Sequence, residues 1–504
     1  METPVGDAAF SPTTSSRDHI CLGKEVAMDV SEPDLLRTFT AVDKDDNGRI
    51  WAWELLAKLG QAGIQPDDPR VRAALADVGR PAGIDIQPVE IDFRQYAEIA
   101  QHGDGVVYRA LAGELAVPPD EFQEYVRSIT AMHGDLLSNR DGNVADYIPT
   151  LRDADPERFG IAICTADGQV FSIGDTADEF SVQSTSKPFN YAIALEQLGP
   201  DEVHRWVGQE QSGGPFNDPH LSLGTDGRPR NPMINAGAIG TLALVDTGKD
   251  QSDRFTTVRD TWAAMTGKRP QLHGATFLAE RDTGFGNVRF ANGLMQAGKL
   301  RGARSNDRRA PEDAVEFYTM VCSLTMDAEQ LARAGATLAN GGVAPSGRRV
   351  FSPETAGRVL AVMGHSGMYD GSGQFSDQVG LPAKSGVSGN VMMVVPSKGL
   401  AVVTYSPRLD ATGNSVRGVE VCKRFVNEFG LHPYRGVGGA ERGRQSAGTL
   451  NEADRRAEAA NAADRALAGL ARPGTASPVA AQTVDAERAG AGASRQSAQP
   501  GRQL

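Results

Sequence analysis

Only four cysteines occur in the 504 residues, Cys21, Cys164, Cys322 and Cys422, and no two of them form a CxxC pair. Disulfide bonding and cysteine-based zinc binding are both poor readings of that spacing, and buried free thiols are expected. No apolar run approaches the roughly 20 residues needed to span a bilayer, so no membrane partner is expected. The first twenty residues lack a positively charged segment followed by an apolar one, which argues against a secretory signal. A cytoplasmic location is the expectation. Positive charge is also scarce: 51 Lys and Arg against 64 Asp and Glu leave a net charge of -13. Nucleic-acid binding draws on clustered cations, so no such partner is expected.

The chain is long enough for two or more domains, and four zones emerge. Residues 1–30 are polar, rich in Ser and Thr, and expected to be disordered. Residues 31–117 are predicted to be a helical domain, with apolar side chains at helical spacing in Leu35, Leu36 and Phe39 and again in Leu55, Leu56 and Leu59. The pattern breaks at Val117-Pro118-Pro119-Asp120, a predicted linker. Residues 121–435 mix both periodicities. Ile161–Cys164 and Val170–Ile173 flank Ala166-Asp167-Gly168 as a predicted hairpin, and Val391–Val395 and Leu400–Thr404 flank Pro396–Gly399 as another. Strands at both ends with helical sequence between them, including 314–324 and 327–338, imply an α+β domain: one sheet closed by the chain ends, with an inserted helical lobe. Residues 436–504 contain no aromatic side chain and are heavy in Ala, Gly, Arg, Ser and Gln. They read as a low-complexity tail with one candidate helix at 451–470.

Ser184-Thr185-Ser186-Lys187 opens an apolar helical run through Leu195. Three-residue spacing places Ser184 and Lys187 on one helical face. A serine hydroxyl is a weak nucleophile until a base takes its proton, and a lysine whose pKa is lowered by burial can be that base. On its own, Ser-x-x-Lys occurs by chance in a chain of this length. Further on, Lys384-Ser385-Gly386 stands directly before the strand at Val391. That is the Lys-[Thr/Ser]-Gly element that accompanies Ser-x-x-Lys in β-lactamases and penicillin-binding proteins, where the lysine supplies positive charge.

Across about 140 to 434 the sequence resembles the serine-dependent glutaminases more closely than that wider superfamily. The resemblance is carried by Val144-Ala145-Asp146-Tyr147-Ile148-Pro149, the Ser184 segment, and Asn231-Pro232-Met233-Ile234-Asn235-Ala236-Gly237-Ala238. It continues in Thr337–Gly342, Gly367-Met368-Tyr369-Asp370 with Ser372–Phe375, and Gly380–Gly386. It implies a β-lactamase/transpeptidase-like sheet with a helical lobe, a homodimer or homotetramer, and hydrolysis of L-glutamine to glutamate and ammonia with no catalytic cofactor. By the same resemblance Ser184 is the nucleophile and Lys187 its base. Tyr369 and Tyr147 are phenols that relay protons, and the backbone amides of Ser184 and Val387 form the oxyanion hole. Glu280 pairs with the substrate ammonium, while Asn235, Asn287 and Tyr318 hold its carboxylate and amide. His204 and His365 have no acid or metal partner in the pattern and are expected to be structural. The loop at 213–220 partly matches the gating loop of animal-type glutaminases and then diverges.

Upstream, Asp43 to Glu54 reads as a twelve-residue EF-hand calcium loop. Asp43, Asp45 and Asn47 supply side-chain oxygens, Gly48 the sharp turn, Arg49 its carbonyl, and Glu54 a bidentate closure. Ile50 falls where such loops pair with a partner. Glu90-Ile91-Asp92-Phe93-Arg94-Gln95-Tyr96 resembles the second half of that partner, with Gln95 in place of Glu, so the partner loop is expected to be metal-free. Animal-type glutaminases carry a helical EF-hand-like N-terminal domain, usually without the calcium ligands; this sequence retains them. Two other readings stay open: a different acyl-enzyme hydrolase of the β-lactamase-like superfamily, and a non-catalytic calcium-responsive binding protein on the same scaffold.

Overall fold

The computed structural model describes residues 28–77, 89–212, 223–304 and 307–435. The expected N-terminal disorder before residue 28, the 213–220 loop, the tail beyond 436 and its candidate helix lie outside those residues, as does Cys21. Two short strands, β1 (Arg49–Trp51) and β2 (Glu90–Asp92), sit among the N-terminal helices. They are followed by β3 (Gly160–Thr165), β4 (Val170–Gly174), β5 (Phe180–Ser181), β6 (Gln271–Leu272), β7 (Leu324–Met326), β8 (Ala383–Gly386), β9 (Asn390–Val395) and β10 (Leu400–Tyr405).

The two apolar hairpins form where their sequence patterns place them. β3 pairs with β4 and β9 with β10, both antiparallel. β10 also pairs with β3, Val402 standing opposite Ile163. The resulting sheet has the order β4-β3-β10-β9-β8, so the chain ends do close it. Successive side chains on a strand point to opposite faces, and both faces here are covered. Ile161, Ile163, Val391, Met393, Val395, Leu400 and Val402 pack on one side with Phe122, Tyr125, Val421 and Phe425 from the helices Pro119–Leu136 and Val416–Glu428. Ala162, Cys164, Met392, Val394 and Val403 face the other core, which runs into the helical lobe. That is why these strands read as continuous apolar runs. The helix Ala328–Ala339 lies against this second face so closely that a Cβ on Gly335 would stand 2.7 Å from the Ala401 Cβ.

A second, three-stranded sheet, β5-β7-β6, was not anticipated. Its strands are two or three residues long, too short to show a period, and they are held by register with β7: Phe180 opposite Met326, Ser181 opposite Thr325 and Gln271 also opposite Thr325. This small sheet ends directly before the Ser184 turn. Cys164, Cys322 and Cys422 are buried and free, as expected. No helix among the described residues is long and apolar enough to cross a membrane.

N-terminal to the sheet, five helices (Glu32–Val42, Ala52–Gln61, Pro69–Asp77, Phe93–Gln101 and Val106–Ala112) surround a separate core of Leu35, Phe39, Ile50, Leu55, Leu59, Ile91 and Tyr96. This region grips the β3–β4 turn. Val170 N–H donates to Gly63 O (2.9 Å), Gln169 Nε2 to Ala62 O (2.8 Å) and Gln65 Nε2 to Val170 O (2.9 Å). Arg70 is the centre of the contact. Its guanidinium joins Asp68 (2.8 Å), Asp104 (2.9 Å) and the carbonyl of Asp167 (2.7 Å), while the Asp167 carboxylate pairs with Arg109. The Arg70 and Asp68 side chains are only 10% and 4% exposed. Removing one partner strands a buried charge, so Arg70→Ala is expected to cost about 3 kcal/mol; an unchanged urea midpoint for that variant would show that the docking ions contribute nothing.

Candidate active site

Ser184 enters the site from β5 through a strained turn. Val182 N–H donates to Leu324 O (2.8 Å) on β7, and Gln183 follows in the left-handed region at φ 47°. A single 3-10 turn, Gln183–Ser186, then runs into the helix Lys187–Val203, with Pro188 in its first turn. Every residue from Gln183 to Leu195 is buried, so this helix threads the core. Ser184 keeps 8% exposure and Lys187 only 1%.

Burial is the largest influence on Lys187 and lowers its pKa to about 8. Its Nζ donates to Asn235 Oδ1 at 2.6 Å. Asn235 is the first residue of the helix Asn235–Leu244, and both its amide oxygen and its amide nitrogen are hydrogen-bonded. Tyr318 OH reaches the same oxygen at 3.3 Å, and Asn235 Nδ2 donates to Asn287 Oδ1 at 3.1 Å. On the opposite wall, Glu280 Oε1 accepts from Tyr147 OH (2.7 Å) and Gln183 Nε2 (3.0 Å). Burial pushes the Glu280 carboxyl above its usual range, and those two donors pull it partly back. Tyr147 keeps 47% of its surface exposed, but crowding around its hydroxyl, and then the neighbouring Glu280 charge, hold the phenol well above its usual range.

Tyr369 closes the third side. Its phenol is pushed up by burial and drawn the other way by the nearness of the Ser184 side chain and the Val387 backbone. Val387 lies in the β8–β9 turn, which is tied to the base of the Ser184 turn: Ser388 Oγ donates to Ser181 O (2.6 Å), and Asn390 Nδ2 to Ser388 Oγ (2.9 Å). A Cβ on Gly386 would meet Val182 O at 3.0 Å and Asn390 Oδ1 at 2.3 Å, so glycine is required for this approach. Ser184, Lys187, Tyr147, Tyr369, Asn235, Asn287, Tyr318, Glu280 and Val387 are therefore drawn together from seven separate stretches of chain.

The family model for glutaminase matches residues 142–434. This chain belongs to the glutaminase family. Putative glutaminase 2 of Caenorhabditis elegans is 37% identical over 392 residues, 76% of this chain and 63% of that protein. The mitochondrial liver isoform of mouse glutaminase is 35% identical over 388 residues, 77% of this chain and 63% of that protein. A glutaminase of Microcystis aeruginosa is 40% identical over 322 residues, 64% of this chain and 91% of its own length. The chain thus spans under two thirds of the worm and mouse proteins. Among solved structures, a probable glutaminase, ybaS, aligns with a TM-score of 0.59 at 34% identity, covering 62% of this chain and 99% of that one. Mglu in its glutamate form aligns at 0.57 and 37% identity, covering 62% and 70%.

Within this glutaminase-family framework the structure adds residues that sequence reasoning passed over. Gln183 is one of these: its amide holds Glu280, and no residue-type signal marks its left-handed backbone. Cys322 was set aside as an inert thiol. It is buried beside Lys187 and hydrogen-bonded with Tyr318 and Ser186, and burial pushes it up to about 11. His204 and His365 are structural, as expected. His204 contacts Val207 O (3.0 Å) and Tyr191 OH (3.1 Å), and His365 contacts Ser366 Oγ (2.8 Å).

The upstream loop also has a defined geometry. Asp43 is 7% exposed, and its carboxylate accepts from Asn47 N–H (3.3 Å) and Gly48 N–H (2.9 Å), with Gly48 at φ 75°. Asn47 Nδ2 donates to Asp45 Oδ2 (2.8 Å), and Arg49 N–H to Asn47 Oδ1 (2.8 Å). Ile50 stands opposite Ile91 in the β1–β2 ladder. Glu54 Oε2 accepts from Trp51 N–H (3.1 Å), and Gln95 Oε1 makes the matching bond to Asp92 N–H (3.2 Å). Among the described residues, no three acidic, His or Cys side chains are gathered as a metal cage.

Lys187 gives this site a measurable cost. Its folded pKa lies below its unfolded value, so the folded state binds fewer protons between the two. Stability then rises as pH climbs from about 8 to the unfolded value, and the full penalty is present below about 8. At neutral pH, Lys187→Met is expected to stabilise the fold by about 3 kcal/mol. Denaturant midpoints should show that gain shrinking as pH rises above about 8 and lost once it passes the unfolded value; a variant less stable than the parent at pH 7 would contradict it.

Proposed function

We propose that the chain hydrolyses L-glutamine to L-glutamate and ammonia through an ester on Ser184. The observation that carries the reading is the meeting of Ser184 with Tyr369 and Val387 beside a buried, pKa-lowered Lys187. Ser184 Oγ attacks the side-chain amide carbon while its proton passes to the neutral Lys187 amine. The carbonyl oxygen becomes an oxyanion facing the backbone N–H groups of Ser184 and Val387, where one well-aimed donor is worth about 3 kcal/mol. Collapse breaks the C–N bond, and the proton is returned to the leaving nitrogen through Tyr369 and Tyr147, so that ammonia departs. Water then attacks the ester, regenerating the Ser184 hydroxyl and releasing glutamate.

Recognition follows from charge. Glu280, half-buried and raised, gains from an ammonium placed against it, because a carboxylate withdrawn from water is costly until an opposite charge compensates it. Asn235, Asn287 and Tyr318 form a row of amide and phenol groups for the substrate carboxylate and amide. Release of ammonia from glutamine well above that from asparagine is expected, with Ser184→Ala lowering turnover by about 10⁶-fold. Retained turnover in that variant would remove the serine mechanism.

A second reading concerns residues 43–54, favoured by the two backbone donors on Asp43 and the Ile50–Ile91 register. These are the turn and pairing features of an EF-hand loop. Calcium would be held by Asp43, Asp45, Asn47, the Arg49 carbonyl and Glu54, after Glu54 leaves Trp51 N–H. Titration calorimetry on the full chain should show calcium uptake complete by about 1 mM, lost in Glu54→Gln; no heat from the unaltered chain would rule the site out.

A further inference from the structure

Tyr369 sits at φ 50°, a conformation that a bulky side chain adopts only when its surroundings impose it. The surroundings are unusual. Three successive carbonyls, those of Gly367, Met368 and Tyr369, are each taken by a buried side-chain donor from a different direction. Lys384 Nζ donates to Gly367 O (2.9 Å), Asn414 Nδ2 to Met368 O (3.1 Å) and Ser372 Oγ to Tyr369 O (2.7 Å). Ser372 Oγ also accepts from Met368 N–H (3.0 Å). Lys384 has no exposed surface, Asn414 is 3% exposed and Ser372 9%.

The orientation of Lys384 decides its role. In the related β-lactamase element the lysine offers its charge towards the substrate. Here the Lys384 Nζ donates to Gly367 O and to Ser385 O (2.8 Å), so two N–H groups are spent on backbone. Its nitrogen lies 4.4 Å from the centroid of the Tyr369 ring, over its face. Ser385 N–H also reaches Gly367 O (3.2 Å), and a Cβ on Gly367 would collide with Ala383 O at 1.7 Å. The edge strand that precedes Val387 is thus fastened directly to the turn that carries Tyr369. One lysine joins the two parts of the site that meet Ser184 from this side.

We propose that Lys384 is a positioning residue acting through Tyr369, not a contact for the substrate's charge, and that Asn414 and Ser372 complete the same clamp. This rests on the reading of Tyr369 as a proton relay. Misplacing a reacting group by about 1 Å costs on the order of 10²-fold, which sets the scale of the test.

Steady-state ammonia release from glutamine would be measured for Lys384→Met, Asn414→Ala, Tyr369→Phe and the pairwise combinations with Tyr369→Phe. Lys384→Met should lower kcat by about 10²-fold with KM within about three-fold of the parent. In the Tyr369→Phe background the same replacement should cost under about three-fold more, since its effect runs through a phenol already gone. Losses that multiply, or a raised KM with unchanged kcat, would overturn the clamp. If Lys384→Met does not fold, Asn414→Ala decides by the same cycle: non-additive loss supports the clamp, and multiplying losses overturn it. Full turnover in Tyr369→Phe would defeat the relay and the clamp together. An impaired Tyr369→Phe beside unimpaired Lys384→Met and Asn414→Ala would defeat the clamp alone.

Discussion

Lys187 carries an amine into the interior of the helical lobe, where it is almost fully buried and Asn235 is its hydrogen-bond acceptor. Much of the surrounding arrangement follows from that burial. Asn235 must present its oxygen to the amine, so its amide nitrogen turns to Asn287. Tyr318 supports the same oxygen, and Cys322 packs beneath both. An amine with a lowered pKa is also one that can accept a proton near neutrality. The isolation that makes it unfavourable in the fold is the one that, in the proposed mechanism, suits it to activate Ser184.

Parts of this were legible in the residues alone. The two hairpins announced themselves through Asp167-Gly168 and Ser397-Lys398-Gly399 between apolar runs, and the central sheet followed from them. The site residues came from the family resemblance and not from their own patterns. Asn235, Glu280 and Tyr318 lie on three different helices, and no periodicity in those helices points to a common cavity. What stayed hidden has a common cause. The β5-β7-β6 sheet, the left-handed Gln183 and the carbonyl clamp on Tyr369 are all settled by contacts between segments distant in sequence. Lys384 is the sharpest case. The Lys-Ser-Gly motif marked it as a source of positive charge, whereas its neighbours in space turn it inward.

The N-terminal helices are joined to the catalytic region by backbone hydrogen bonds as well as by ions. Ala62 and Gly63 offer carbonyls to Gln169 and Val170, while Ile64 bridges to Gln169. These residues follow directly on the helix that begins after the Asp43–Glu54 loop. β4, the strand they grip, is an edge strand, and an uncovered edge invites pairing with other chains. The helical region therefore shields the sheet at the end away from β8.

The position of β10 bears on how the chain is made. It lies between β3 and β9, so the earliest long hairpin cannot acquire its neighbour until almost the whole catalytic region has been translated. During that interval β3 presents an unpaired apolar edge, the state in which growing chains are most prone to aggregate. The N-terminal helices and the helix Pro119–Leu136 all precede β3 in the chain, and both pack on that hairpin, the former at its turn and the latter on one face. The order of the chain therefore places two covering surfaces before the hairpin and its central neighbour last.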